Sequence, residues 1–514
     1  MNINDIFKKA ENSLLQNNLA EAKKSFLKIQ KKIPNHIETL NNLALIEIKL
    51  GNISNALKFF EKSLIFNSNQ PQILSNAALC KHEMLDSSAA IINLDKAIKI
   101  DPTNSLFYFN RGKIFSDLHD FEKAEIDYLK TIELNQSFYQ AYLNLGVIYN
   151  KQYKYKDACK TLEDLLKVRP NLAEGYYNLG ISYDNNRNYE KALINYKKTI
   201  ELDSNNYLAK YNLSCLCLHQ KNFSEGWKFF EHRWAQRNKP DFIRDIPQCT
   251  NLDNLNKTLI WGEQGIGDQI LLSSMLIDLN LEKKVNVAID QKLIDLYRRS
   301  FPNYNFIHLD KTISLENFSY QIPFGGLGQF LRTNKDSFKK NDKFLKANED
   351  EIKKIKKGFS DKSKKICGLS WRSKNLNTGN AKSIDLDQFI PILNNKNFIF
   401  VDLQYGDTSE EISFIENKFG IKIHSINTLD KFNDIDGLAS LISACDLVIS
   451  VSNVTAHLAG ALGIKTFLLA PYTLGLIYYW HDGKTNLWYP SLQVFRQKDP
   501  NNWRPTLEDI SKIL

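Results

Sequence analysis

The stretch YQAYLNLGVIYNKQYKYKDACKTLEDLLKVRP (Tyr139–Pro170) decides how the first half of the chain folds. It reads as two amphipathic helices joined by a tight turn. Ala158 is followed four residues on by Leu162, Gly146 sits where the two helices would cross, and Pro170 closes the second helix. The same alanine-plus-large-residue pair recurs outward from it at a spacing of 34. It appears as Ala22/Phe26, Ala56/Phe60, Ala90/Leu94, Ala124/Tyr128, Ala158/Leu162 and Ala192/Tyr196, and Gly226/Phe230 continues the register. Pro34 and Pro102 keep phase with Pro170, and Gly112 and Gly180 with Gly146. In such a hairpin the small residue lets the first helix (A) approach the second (B), and the large one fills the gap. A lone unit leaves an apolar face open until a neighbour stacks on it.

The spacing and composition resemble the tetratricopeptide repeat over residues 3–236, about seven repeats, which implies a right-handed α-solenoid whose A helices line the concave surface. The sixth position of helix A is asparagine six times running: Asn42, Asn76, Asn110, Asn144, Asn178 and Asn212. A carboxamide both donates and accepts, so a row of them suits the backbone of an extended polypeptide whatever its sequence. The plain alternative is a solvated surface position. The unbroken row resembles those in the tetratricopeptide arm of protein O-GlcNAc transferases, which implies a protein or peptide acceptor along the concave face.

Composition narrows the remaining possibilities. At 514 residues the chain exceeds one hydrophobic core, and 43% apolar with 24% charged residues is the balance of an ordinary globular protein. Lys and Arg exceed Asp and Glu by 67 − 58 = 9, and basic residues are not interleaved with aromatic ones as in base-stacking surfaces, which argues against a nucleic-acid partner. Seven widely spaced cysteines with no Cys-x-x-Cys pair suit reduced core thiols. With no apolar leader and no apolar stretch of membrane-spanning length, the expectation is a cytoplasmic protein without a transmembrane segment.

The last hairpin ends in NFSEGWKFFEHRWAQR (Asn222–Arg237), whose aromatic helix predicts docking onto the next domain, since a free solenoid end would be polar. A proline-bearing linker, 237–257, leads to alternating strand and helix signals. Strand-like runs are TLIW (Thr258–Trp261), KVNVAID (Lys284–Asp290) and NFIHL, with helical QILLSSMLIDLN and QKLIDLYRRSF between them. Beyond the lysine-rich helical connector at 346–365 come KICGLSW, FIFVDLQ, KIHSI, DLVISV and KTFLLA. The alternation predicts two Rossmann-like units, 258–345 and 366–514, and two such units around a cleft are the GT-B glycosyltransferase architecture.

Two turns carry chemistry. Gln264, Gly265 and Gly267 form a strand-to-helix substrate loop whose free amides and positive dipole end would favour an anion. Asp268, the next residue, is either a helix cap or, facing a cleft, a general base toward an acceptor hydroxyl. The second turn, Ser452-Asn453 before VTAHLAGALG, puts hydrogen-bonding side chains, with Thr455, at a helix N-terminus where a leaving diphosphate could be neutralised. A simple cap is the plain alternative there too. His457, one turn further, is a donor-site candidate whose commoner role is that of a packed core histidine.

GEQGIGDQILLSSML, GLSWRSKNLNTGNAKSIDL and VSNVTAHLAGALGIKTFLLAPY, with the tail WYPSLQVFRQ, resemble the heptosyltransferase-like family of GT-B enzymes over about 258–505, especially members fused behind tetratricopeptide repeats. The resemblance implies an inverting, metal-independent transferase with a nucleotide-sugar as co-substrate and no other cofactor. It places the family's proposed base on Asp268 and its phosphate-neutralising lysine on Lys382, with Arg372 placed to help. The family's Asp-Thr falls on Ser452-Asn453, a departure that removes a carboxylate. The competing reading is a non-catalytic scaffold with a degenerate transferase-like domain.

Overall fold

The computed structural model describes residues 2–235, 239–281, 283–338, 342–359, 361, 363–374, 379–473, 477–481, 483 and 485–514. Gln236 of the expected repeat array, Arg237 and Asn238 of the expected linker, and residues 375–378 of the GLSWRSKNLNTGNAKSIDL motif lie outside that range. The chain divides into two compact units, Met1–Tyr183 and Asp184–Leu514.

The first unit consists of helical hairpins. They are α1 (Ile3–Leu15) with α2 (Leu19–Lys32), α3 (Ile37–Lys49) with α4 (Ile53–Phe66), α5 (Pro71–Glu83) with α6 (Ser87–Ile100), α7 (Ser105–Asp117) with α8 (Phe121–Leu134), and α9 (Tyr139–Lys151) with α10 (Tyr155–Val168). Helix α11 (Ala173–Asn185) runs past the end of this unit at Tyr183 and pairs in sequence with α12 (Tyr189–Leu202); α13 (Tyr207–His219) and α14 (Phe223–Phe230) complete the fourteen helices that precede the first strand among the described residues. The periodic pairs pack as expected: Ala22, Ala56, Ala90, Ala124 and Ala158 are fully buried, as are Phe26, Phe60, Leu94 and Leu162. A Cβ at Gly146 would stand 2.8 Å from Leu162 Cγ, so only glycine lets α9 and α10 cross this closely.

A second period accompanies the first. The corner between the helices of each hairpin is held by a residue of positive φ at the same 34-residue spacing: Asn17, Gly51, Leu85, His119, Tyr153, Arg187 and Lys221. The next position is Asn or Asp in six of the seven. Asn18, Asp86 and Asp120 in the first unit accept a hydrogen bond from a first-turn N–H of the following helix. Left-handed corner and cap together reverse the chain in three residues.

The second unit joins α12–α14 to an α/β region. Its first sheet has four parallel strands in the order β3-β2-β1-β4, from β1 (Thr258–Trp261), β2 (Val285–Ile289), β3 (Tyr304–His308) and β4 (Tyr320–Pro323). Helices α15 (Ile266–Ser273), α16 (Ile294–Ser300) and α17 (Gly328–Leu331) accompany it, and α18 (Glu349–Lys357) leads to the second sheet. That sheet is also parallel throughout, ordered β10-β9-β8-β5-β6-β7. Its strands are β5 (Lys365–Ser370), β6 (Phe398–Asp402), β7 (Ile423–His424), β8 (Leu447–Val451), β9 (Thr466–Ala470) and β10 (Leu492–Arg496). Its helices are α19 (Gly379–Lys382), α20 (Ile390–Leu393), α21 (Ser409–Phe419), α22 (Ile435–Ser443), α23 (Val454–Ala461) and α24 (Arg504–Ile513). Strands β4 and β10 lie outside the strand signals read from sequence: one is four residues ending in proline, the other is embedded in the aromatic tail.

The boundary between compact units falls at 183/184 rather than at the end of the repeats near 236. The aromatic last hairpin explains this. Trp227 lies against Gly328, where a Cβ would stand 2.5 Å from its ring, and its indole N–H donates to Arg332 O at 2.8 Å. Phe230 packs edge-on to Tyr478. The expected docking of α14 on the α/β region is therefore a continuous core, in which Tyr211, Trp227 and Phe230 are buried with Phe324 and Leu327.

Candidate active site

In a parallel sheet, ligands settle at the carboxyl ends of strands where the strand order reverses. In the first sheet that point lies between β1 and β4, and in the second between β5 and β8. The two turns singled out in the sequence leave these points: Gly262–Gly265 comes directly after β1, and Ser452-Asn453 directly after β8. Their helices, α15 and α23, pack against each other. The contact is tight at Gly267, where a Cβ would stand 2.8 Å from His457 Cδ2.

Asp268 lies in the first turn of α15, half-buried, and its charge is felt by Lys382, Tyr478 and Tyr489. Lys382 closes α19 and is 91% buried, with no carboxylate at ion-pair distance among the described residues. Burial pushes its ammonium pKa below the ordinary lysine range, and Asp268 opposes that shift. A buried cation lacking a close counter-ion favours an anionic ligand, which would replace the hydration lost on folding.

Around α23 the predicted residues do different things. Asn453 caps the helix: its Oδ1 accepts from Thr455 N–H at 3.0 Å and Ala456 N–H at 3.4 Å, and its Nδ2 donates to Ser370 Oγ at 2.8 Å and Arg372 O at 3.0 Å. This side chain ties β8 to the end of β5, and two first-turn N–H groups are already occupied by it. Ser452 is buried and its Oγ accepts the Trp480 indole N–H at 2.8 Å, so it belongs to the wall. Thr455 is also buried, and its Oγ1 has no hydrogen-bond partner among the described residues.

His457 is a packed histidine. Its Nδ1 lies 3.0 Å from Tyr489 OH, and Tyr479, Trp480 and Tyr489 surround its ring. Burial, reinforced by nearby Lys382, lowers its pKa to about 3, so it is neutral at physiological pH. Arg372 turns away toward α21, pairing with Glu411 at 3.1 Å and donating to Asp407 O at 3.0 Å. Gln264 has φ +64°, which turns this loop through a sharp corner before α15, and Gly265 beside it is exposed. The structure thus brings together Gly267, Asp268, Lys382 and His457, and engages Ser452, Asn453 and Arg372 in bonds to neighbouring parts of the fold.

Several residues of this region went unremarked in the sequence. Gln404 Oε1 accepts from Ser370 Oγ, Trp371 N–H and Arg372 N–H, fixing the chain as it leaves β5. Asp402 is fully buried and takes bonds from Lys431, Thr408 and Ser425. Only their position at strand ends could have suggested them.

The asparagine row is not uniform. Asn110 is buried and donates to Ser75 Oγ at 3.0 Å, which assigns it to packing between helices. Asn42, Asn76, Asn144 and Asn178 are half-buried. Asn144 donates to Tyr128 OH at 3.3 Å, Asn178 to Glu174 O at 2.9 Å, and Asn76 accepts from Gln72 at 3.2 Å. Asn212, in the second unit, is half-buried as well.

Family models described as tetratricopeptide repeat match residues 37–68, 93–126, 140–171 and 173–206. The N-terminal region is built of tetratricopeptide repeats. Over 318 residues the chain is 30% identical to the protein FlbA of Caulobacter vibrioides, a match covering 56% of this chain and 52% of FlbA. The chain thus spans about half the length of the curated relative it matches. Among solved structures, a C-terminal part of a repeat protein from Cytophaga hutchinsonii aligns over 46% of this chain and 96% of its own, at 19% identity and a TM-score of 0.40. YrrB, described as a tetratricopeptide-repeat protein with an unusual peptide-binding site, aligns over 37% and 98% at 21% identity and a TM-score of 0.33. No helix among the described residues is long and apolar enough to cross a membrane.

Proposed function

We propose that the chain is a glycosyltransferase of GT-B type that moves a sugar from a nucleotide-sugar to an acceptor hydroxyl. The observation that carries this reading is half-buried Asp268 acting electrostatically on buried Lys382, beside the packed helices α15 and α23 that follow the switch-point strands of the two parallel sheets. In this reading Lys382 and the positive end of α23 neutralise the leaving diphosphate, and Asp268 takes the acceptor proton as its oxygen attacks the anomeric carbon. Arg372 would reach the donor only by leaving Glu411.

The acceptor in this reading is an extended polypeptide on the repeats, gripped by Asn42, Asn76, Asn144 and Asn178. Asn212 extends the row in sequence. The rival reading, a non-catalytic scaffold, draws support from Ser452 and Asn453, which stand where the resembling family has a carboxylate and are engaged in wall and cap.

The test is release of free nucleoside diphosphate from a panel of nucleotide-sugars. Asp268→Asn is expected to lower turnover by roughly 10²-fold or more with donor affinity little changed, and Lys382→Ala to weaken donor binding. No turnover and no binding with any donor would leave the scaffold reading standing. Replacing Asn76, Asn144 and Asn178 together by alanine should raise KM for a polypeptide acceptor at least ~10-fold and leave donor hydrolysis unchanged.

A further inference from the structure

We infer that Arg233, in the turn that ends the repeats, is a positioning residue for the loop bearing Asp268 and acts through Glu263; this rests on the reading of Asp268 as the reactive carboxylate. Only Gly262, Glu263, Gln264 and Gly265 separate the end of β1 from the start of α15. The course of those four residues sets where Asp268 points. Gly262 N–H is tied to Ala288 O at 2.7 Å, and Gln264 takes the left-handed corner. Gly265 O accepts from Gln269 N–H at 3.0 Å, and a further restraint is the Glu263 side chain.

Glu263 is fully buried, and its carboxylate is held on three sides. Arg233 donates from Nε to Oε2 at 2.6 Å and from Nη2 to Oε1 at 2.8 Å, and Gly325 N–H donates to Oε1 at 2.6 Å. Arg233 is equally buried and has no slack. Its Nη1 donates to Phe230 O at 2.9 Å and Glu231 Oε1 at 2.7 Å, and the guanidinium lies 4.4 Å and 4.5 Å from the Phe230 and Trp234 ring centres. At Gly325 a Cβ would stand 2.5 Å from Glu263 Oε1, so glycine is needed for the carboxylate to reach its place.

Two desolvated charges in a planar, two-bond fork have one favourable arrangement, because any displacement leaves a buried charge unmatched. The fork therefore transmits the position of the Glu231–Ala235 turn, which closes the last repeat, to the backbone five residues before Asp268. A reactive group displaced by about 1 Å can lose roughly 10²-fold in rate, so an anchor of this kind acts on turnover more than on donor binding.

The test uses the full chain with two changes. Arg233→Lys keeps the charge and loses the fork; the double replacement Arg233→Met with Glu263→Leu removes both charges and keeps apolar bulk, a kind of exchange buried ion pairs often tolerate without unfolding. Hydrogen exchange of the Gln264–Gln269 amides is measured beside kcat and KM for nucleoside diphosphate release from whichever donor the panel identifies. In the double variant, exchange in this segment is expected to quicken about tenfold while the repeat amides keep their protection. The kcat is expected to fall at least ~30-fold with donor KM changed less than about threefold, and Arg233→Lys to lie between. Unchanged exchange across Gln264–Gln269, or a kcat within about threefold of the parent, overturns the inference. Should the double variant fail to fold, the same two readings on Arg233→Lys decide. Should the parent turn over no donor, the transferase reading fails and the exchange result alone decides whether Arg233 holds this loop.

Discussion

At the scale of single residues, His457 shows how burial decides chemistry. The sequence leaves it as donor-site candidate or packed histidine, and in the structure it is packed, enclosed by three aromatic rings and hydrogen-bonded to Tyr489. Its pKa is lowered to about 3 in the fold, against an ordinary value of 6.5 when the chain is unfolded. Above pH 6.5 both states hold it neutral, and its contribution is complete. Below that pH the unfolded chain takes up a proton that the native state refuses, so stability falls as pH drops toward 3. The slope is about 1.4 kcal/mol per pH unit, or about 2 kcal/mol between pH 6.5 and 5. Urea unfolding at those two pH values should show a correspondingly smaller loss for His457→Gln than for the parent, and equal losses would contradict the assignment.

At the scale of elements, packing at the helix crossings overrides intrinsic propensity. Replacing a mid-helix glycine by alanine ordinarily favours the helix by about 1 kcal/mol. At Gly146 the new methyl would meet Leu162 Cγ at 2.8 Å, and both Leu162 methyls at 3.0 Å. Gly146→Ala is therefore expected to destabilise the repeats by about 1–2 kcal/mol net, read as a lowered midpoint in chemical denaturation. This glycine was legible in the sequence because it repeats in phase with Gly112 and Gly180. The corner residues were not. Leucine, histidine, tyrosine and lysine at those places carry no signal of positive φ; the hairpin geometry imposes it. In the α/β region the longer strands were readable as apolar runs, and Gly267-Asp268 as a motif. Strand β4 was hidden by its length and its proline, and Asn453's cap could not be told from a phosphate ligand, because both uses call for the same side chain at the same helix end. The Arg233–Glu263 fork was invisible for another reason: two common residues 30 positions apart form no motif until the fold brings them together.

At the scale of the whole molecule, the repeats do not all stand in the same relation to the α/β region. The last hairpin shares a core with it, through Trp227 against Gly328 and Phe230 beside Tyr478. A fragment beginning at Ala173 retains that hairpin, and is expected to fold and melt cooperatively. One beginning at Lys239 strips Trp227, Phe230 and Arg233 away. It exposes Phe324 and Leu327, leaves Glu263 without its counter-ion, and should be poorly folded or aggregated. Circular dichroism melts of the two fragments check this, and a cooperative melt for the shorter one would refute the shared core.

The hairpin corners also make the first unit a ready-made ruler. Residues 17, 51, 85, 119 and 153 are exposed, evenly spaced along the chain, and tolerate side chains as unlike as Asn, Leu, His and Tyr. All seven native thiols are buried. A cysteine introduced at any two of these corners could carry a spin label or dye with little background from the native thiols, and the distance between labels would report whether the array stretches or compacts when an added polypeptide is present.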